Sequence, residues 1–182
     1  MALMKSSMVP LGTPAADFSL PGTDGSLYDL SSFKDKMVLV IIIMCNHCPY
    51  VKAVLGRLRA IQNDYRGKGV QLVGINPNNE EDYPEDSMEN MKKLVDDGIV
   101  NYPYLRDDSQ ETAKRYDAVC TPDLYLYGPE RRLLYRGRID DNWQDESGVK
   151  ERDLRNAIEA VLSGEDVPAE QHPSMGCSIK WK

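Results

Sequence analysis

The chain lacks a long apolar run. Its longest, Met37 to Cys45, is nine residues, whereas a helix crossing a bilayer needs about 20. No membrane partner is therefore expected. Met1 to Leu11 carries one Lys and no continuous apolar stretch, so no signal peptide is read there. Cysteine is scarce, with four in 182 residues, too few for a disulfide-rich secreted scaffold. A basic excess is also missing. Lys and Arg number 22 against 29 Asp and Glu, a net charge of −7, which opposes a phosphate-backbone binder and an anionic membrane surface. There are no repeats and no low-complexity segment. The expectation is a cytoplasmic protein, a monomer or homodimer, that takes no nucleic acid.

What is present has ordinary globular composition, 41% hydrophobic and 28% charged. The length suits one domain over 1–182, with an N-terminal extension at 1–12 and a tail at 165–182. Asp17 to Leu20 and Ser26 to Leu30 alternate polar and apolar residues around the turn-rich Pro21 to Gly25, which predicts an N-terminal β-hairpin. Met37 to Ile43 is apolar at every position, the pattern of a central strand covered on both faces. From Pro49 to Gly67 the period becomes helical, with Val51, Val54, Leu55, Leu58, Ile61 and Tyr65 on one face. Lys52, Arg57, Arg59, Arg66 and Lys68 read as its solvated face. Val70 to Ile75 is a second buried strand, and strand–helix–strand implies a parallel pair.

Further helices are expected from Asp86 or Ser87 to Asp97, around Ala113 and Tyr116, and over Glu151 to Ser163. Strands are expected at Asn101 to Leu105, Asp123 to Tyr127 and Arg132 to Arg138, the last two as a hairpin. The tail after Glu165 reads as irregular. The fold class is α/β, a central mixed sheet flanked by helices.

The chemistry concentrates at Cys45-Asn46-His47-Cys48, where the buried strand hands over to the helix. Free amides and the positive end of the dipole at a helix start stabilise a thiolate. A two-residue gap lets one thiol attack a disulfide and the other expel the mixed intermediate. His47 can tune that thiolate. A metal clip is the competing reading, with Cys45, His47, Cys48 and Cys120 as ligands, although such sites usually come as two separated pairs. No cofactor is called for by the redox reading. Cys120 and Cys177 stand as possible extra redox residues. Filler in a tight loop is the plainer role for Cys120, and Cys177 resembles a resolving cysteine only in its position.

Several segments together resemble a known family. Pro14-Ala15-Ala16-Asp17-Phe18-Ser19-Leu20 resembles the start of a redoxin domain of the alkyl hydroperoxide reductase/thiol-specific antioxidant type. Cys45 to Tyr50 resembles the thioredoxin active-site box, and Tyr116 to Asp123 the loop that carries the thioredoxin cis-proline. Tyr135 to Asp141 and Gly176 to Trp181 are similar to the peroxiredoxin-like group that keeps a CxxC. The resemblance implies a thioredoxin-like fold, a cis bond before Pro122, and substrate docking along Thr121 and Pro122.

The sequence also departs from the family. The peroxiredoxin Pro and Thr positions fall on Ile41 and Cys45, and its Arg position lies at or beside Pro122, which leaves Arg136 or Arg138 as substitutes. The thioredoxin buried acid falls on Leu39, so another base is needed.

The leading expectation is a thiol–disulfide oxidoreductase with an antioxidant role. In it Cys45 attacks, Cys48 resolves and His47 tunes, acting on protein or small-molecule disulfides with an unidentified thiol electron donor. The alternatives are a thiol peroxidase reducing hydroperoxides through Cys48, and a metal-binding protein.

Overall fold

The computed structural model describes residues 3–182. The apolar run becomes strand β4, Val38–Ile43, with every residue buried. Its neighbours explain why no polar face is tolerated. β4 pairs in parallel with β5, Val70–Asn76, and antiparallel with β8, Asp123–Tyr127. β6, Tyr104–Arg106, and β9, Leu133–Arg136, complete a five-stranded mixed sheet in the order β6-β5-β4-β8-β9.

Successive strand side chains point to opposite faces. Val38, Val40 and Ile42 accordingly pack with helix α1, Pro49–Tyr65, and helix α4, Asp153–Ser163. Met91 of α2, Met88–Asp96, joins the same layer. Leu39, Ile41 and Ile43 pack on the other side, with Phe18, Leu20, Phe33 and Tyr116. The N-terminal hairpin is formed by β2, Ser19–Pro21, and β3, Leu27–Asp29, and Leu20 carries it into this second layer. Short helix α3, Glu111–Arg115, lies on the same side through Ala113.

Two expectations are corrected. Arg57 is not on the solvated face of α1. It is 7% exposed, and its Nη1 donates to both Asp140 oxygens at 2.8 and 2.7 Å and to the Asn142 carbonyl at 2.8 Å. The long Arg stem crosses the helix edge to a buried carboxylate, a pairing 83 residues distant that periodicity does not show.

The tail is not irregular throughout. Met175–Ser178 forms strand β10, which lies between β1, Leu3–Lys5, and β7, Cys120–Thr121. Cys177 is opposite Thr121, and Ser178 opposite Cys120. Gly176 permits the approach, because a Cβ there would lie 2.0 Å from the Thr121 carbonyl oxygen. This small sheet sits over the end of β4 and the start of α1, and it positions the site.

Ile42 is fully buried at the centre of the larger layer. Ile42→Ala should destabilise the chain by roughly 2–5 kcal/mol, the usual cost of such a cavity, read as a lower urea midpoint at unchanged slope.

Candidate active site

Cys48 is the residue on which helix α1 begins, and Pro49 fills the first helical position, where no amide hydrogen is needed. Cys45 lies just beyond β4. The chain turn between them places the two thiols near enough to shift each other's pKa. Thr121 closes the site from β7 through a cis bond to Pro122. Its hydroxyl is 3.4 Å from Cys45 Sγ, and its carbonyl oxygen 3.2 Å from Cys48 Sγ. Cys177 Sγ lies 2.8 Å from Cys48 Sγ.

The three sulfurs do not share charge evenly. Cys48 is pulled down to about 4, first by the Cys45 thiol, against the cost of burial, then by the Cys177 thiol and the backbone amides of Val51 and Cys177. Cys45 moves well above the ordinary thiol value, because it donates to Cys48, is buried, and faces the Asp86 charge. Cys177 is pushed up to about 12 by burial and by Cys48. Two contacts run against this order, since Cys48 Sγ is the donor both to the Thr121 carbonyl and to Cys177 Sγ. The neighbouring thiols and the helix-start amides favour the charged form of Cys48 over that of Cys45 or Cys177. Cys45, the residue expected to attack first, has its pKa raised, whereas that of Cys48 is lowered.

The thiols are also covered. Cys45 is 1% exposed and Cys48 0%. Beside Pro122 opens a pocket of about 280 Å³, with Tyr50, Trp143, Arg138, His172 and Met175 in its wall. Tyr50 and Trp143 pack there with tilted rings, 4.2 Å between ring centres.

The profile of the AhpC/TSA family matches residues 11–136. The chain belongs to the AhpC/TSA family. Two solved structures resemble it along nearly its whole length. An uncharacterized conserved protein from Geobacillus kaustophilus is 45% identical, with TM-score 0.94, covering 100% of this chain and 97% of that one. A hypothetical protein from Sinorhizobium meliloti 1021 is 43% identical, with TM-score 0.93, covering 98% of both chains. The thioredoxin domain of a thiol-disulfide oxidoreductase from Bacteroides vulgatus is 18% identical, with TM-score 0.66, covering 85% of this chain and 99% of that one. That likeness carries the fold, which is thioredoxin-like. The curated proteins contain no match.

Other expected residues of this AhpC/TSA protein fall in different places. His47 serves the Cys45 side, because a ring nitrogen of His47, Cys45 Sγ and an Asp86 oxygen lie within 4.8 Å of one another. Its Nδ1 is 2.6 Å from Asp86 Oδ2, and its ring stacks on Tyr83 at 5.1 Å. Cys120 is outside the constellation. Alternation along β7 sends it to the face opposite Thr121, and its Sγ donates to the Pro122 carbonyl at 3.6 Å. Burial raises its pKa first, and the nearby Asp123 adds to the effect. The four residues of the metal reading thus do not converge. The set that does, Cys45, His47 and Asp86, has its carboxylate already engaged by four donors. Arg136 bonds Gln171 at 2.8 Å and Arg138 pairs with Asp153 at 3.0 Å.

Asp86 is the residue that sequence reasoning missed. It is 0% exposed. Oδ1 accepts from the amides of Asn46 and His47 at 2.6 and 3.2 Å, and Oδ2 from Asn78 Nδ2 at 2.7 Å besides His47 Nδ1. A buried acid thus stands beside the CxxC, reaching it from the loop after β5 and not from the β4 position of Leu39. In sequence Asp86 looked like a cap for α2. Ser87 takes that role, accepting from Asn90 N, which frees Asp86 to hold the CxxC turn.

Asp86→Ala should cost several kcal/mol, since each buried donor left unpaired costs about 1–3 kcal/mol. Glu85→Ala should change little, because only the Glu85 backbone carbonyl serves the site, accepting from Asn46 Nδ2. Urea unfolding of the two variants separates the cases.

Proposed function

We propose that the protein is a thiol–disulfide oxidoreductase in which Cys45 and Cys48 cycle between dithiol and disulfide, with Cys48 as the nucleophile. The observation that carries this reading is the placement of Cys45 and Cys48 together at the start of α1, both against Thr121, at 3.4 and 3.2 Å. The Cys48 thiolate attacks one sulfur of a substrate disulfide and expels the other as a thiolate. Cys45 then attacks the Cys48 sulfur, releases the bound half and closes the Cys45–Cys48 bond. The Asp86–His47 pair lies on the Cys45 side and suits it to receive the proton that Cys45 gives up. An external thiol donor restores the dithiol.

The Thr121–Pro122 edge supports substrate docking in the thioredoxin manner, but strand β10 already occupies it. Small disulfides therefore suit the closed form better than an extended polypeptide, and the pocket beside Pro122 offers them room. The peroxidase alternative draws on the same Cys48 thiol, but the guanidinium groups of Arg136 and Arg138 are engaged by Gln171 and Asp153. That weighs for disulfide chemistry.

Turnover of a small disulfide with a dithiol donor tests the proposal. Cys48→Ser should abolish it and leave no substrate adduct on Cys45. A Cys48→Ser protein that traps substrate on Cys45 would reverse the order of attack. Turnover of hydroperoxide with none of disulfide would replace the reaction class.

A further inference from the structure

The C-terminal strand is placed where an incoming chain would dock. β10 pairs antiparallel with β7 immediately before cis-Pro122, with Cys177 directly across from Thr121. On an antiparallel pair, residues directly opposite share a face. Thr121 is the residue that touches both Cys45 and Cys48, so the register delivers the Cys177 sulfur to Cys48 at 2.8 Å. Gly176 makes this register possible, for any larger residue would meet the Thr121 carbonyl.

The strand is held at both ends. Upstream, Ser174 Oγ donates to the Gly137 carbonyl at 2.6 Å, and the Arg138 amide to the His172 carbonyl at 3.0 Å. Downstream, the Lys180 amide donates to Asn78 Oδ1 at 2.9 Å, and the Asn79 amide and Gln110 Nε2 donate to the Lys180 carbonyl at 2.8 and 2.9 Å. A thiol on so anchored a strand is an intramolecular reactant with its position already fixed.

From this arrangement we infer that Cys177 is a second redox partner of Cys48, and that the disulfide passes from Cys48–Cys177 to Cys45–Cys48 through the shared Cys48 sulfur. The inference rests on the Cys48 nucleophile proposed above and deepens it. The Cys48 thiolate attacks a small disulfide RS–SR, forming Cys48–S–S–R and releasing RS⁻. The Cys177 sulfur displaces the second RS⁻, which leaves with the Cys177 proton, and Cys48–S–S–Cys177 forms. The substrate has gained two electrons and the protein has lost two. Cys45, its proton passing toward His47 and Asp86, then attacks the Cys48 sulfur. The Cys45–Cys48 bond closes, and Cys177 leaves as a thiolate that takes up a proton. While Cys48–S–S–Cys177 stands, β10 is covalently pinned over the Thr121 edge. Transfer to Cys45 unpins it.

The test uses the full chain, reduced and then exposed to glutathione disulfide. Samples are quenched in acid, alkylated, digested and mapped by mass spectrometry over time. The wild type should show Cys48–Cys177 peptides early and Cys45–Cys48 peptides later. Cys45→Ser should stop at Cys48–Cys177, and Cys177→Ser should form only Cys45–Cys48. Gly176→Ala keeps all four cysteines but lifts the strand. It should form Cys48–Cys177 on the order of tenfold to a hundredfold more slowly, the scale at which small misplacements act, while Cys45–Cys48 still closes. Glutathione retained on Cys48 of Cys45→Ser, with Cys177 still alkylated, would overturn the inference. So would Cys48–Cys177 links found only between chains. Failure of Cys177→Ser to close Cys45–Cys48, with Cys48–Cys177 still forming in Cys45→Ser, would instead overturn the transfer step and the proposed dithiol cycle.

Discussion

The site depends on one arrangement, the Cys48 sulfur at the start of α1 with the Cys45 and Cys177 thiols beside it. A thiolate in a dry interior is costly unless its lone pairs are met. Here the Cys45 and Cys177 thiols and the amides of Val51 and Cys177 lower the Cys48 pKa against that cost. Each residue belongs to a different part of the fold. Cys45 follows the central strand, Val51 is in the helix and Cys177 is on the terminal strand. The sheet order, the cis turn at Thr121–Pro122 and the glycine at 176 all bear on whether these groups arrive together.

A second layer of polar contacts holds the turn that carries this pair. Asp86 fixes the Asn46 and His47 amides, and the Tyr104 hydroxyl donates to Asn46 Oδ1 at 2.8 Å. Tyr83 stacks on His47, and Lys180 of the tail lies over Tyr83 at 5.7 Å. The terminal segment thus touches both sides of the CxxC, through Cys177 at Cys48 and through Lys180 and Tyr83 at His47. Cover and catalytic machinery are one packed unit, which suits a site whose chemistry needs water excluded.

Much of this was legible in sequence. The apolar run of β4, the helical period of α1 and the CxxC between them are local patterns, and they place the two central sulfurs correctly. The hidden parts are long-range. β10 contains Gly-Cys-Ser and alternates too weakly to read as a strand, and its partners are more than 50 residues away, at Leu3 to Lys5 and Cys120 to Thr121. Asp86 sat beside Ser87, and two good cap residues in a row gave no reason to send one of them back to the active site. Arg57 fell on the polar stripe of α1, whose partner Asp140 is invisible to periodicity. Ile179, at 4% exposed, pins the tail to the core as its apolar character suggests, whereas Trp181, at 42%, does not.

The most direct test is the protonation state of each sulfur. Carbon-13 labelling of the cysteine Cβ atoms lets nuclear magnetic resonance follow every thiol separately across pH. The account predicts that Cys48 is a thiolate at neutral pH and takes up its proton only as pH falls through about 4, while Cys45 and Cys177 stay protonated. A Cys48 that keeps its proton up to the ordinary thiol range near 9.0, or a neutral-pH thiolate on Cys45 instead, would contradict it.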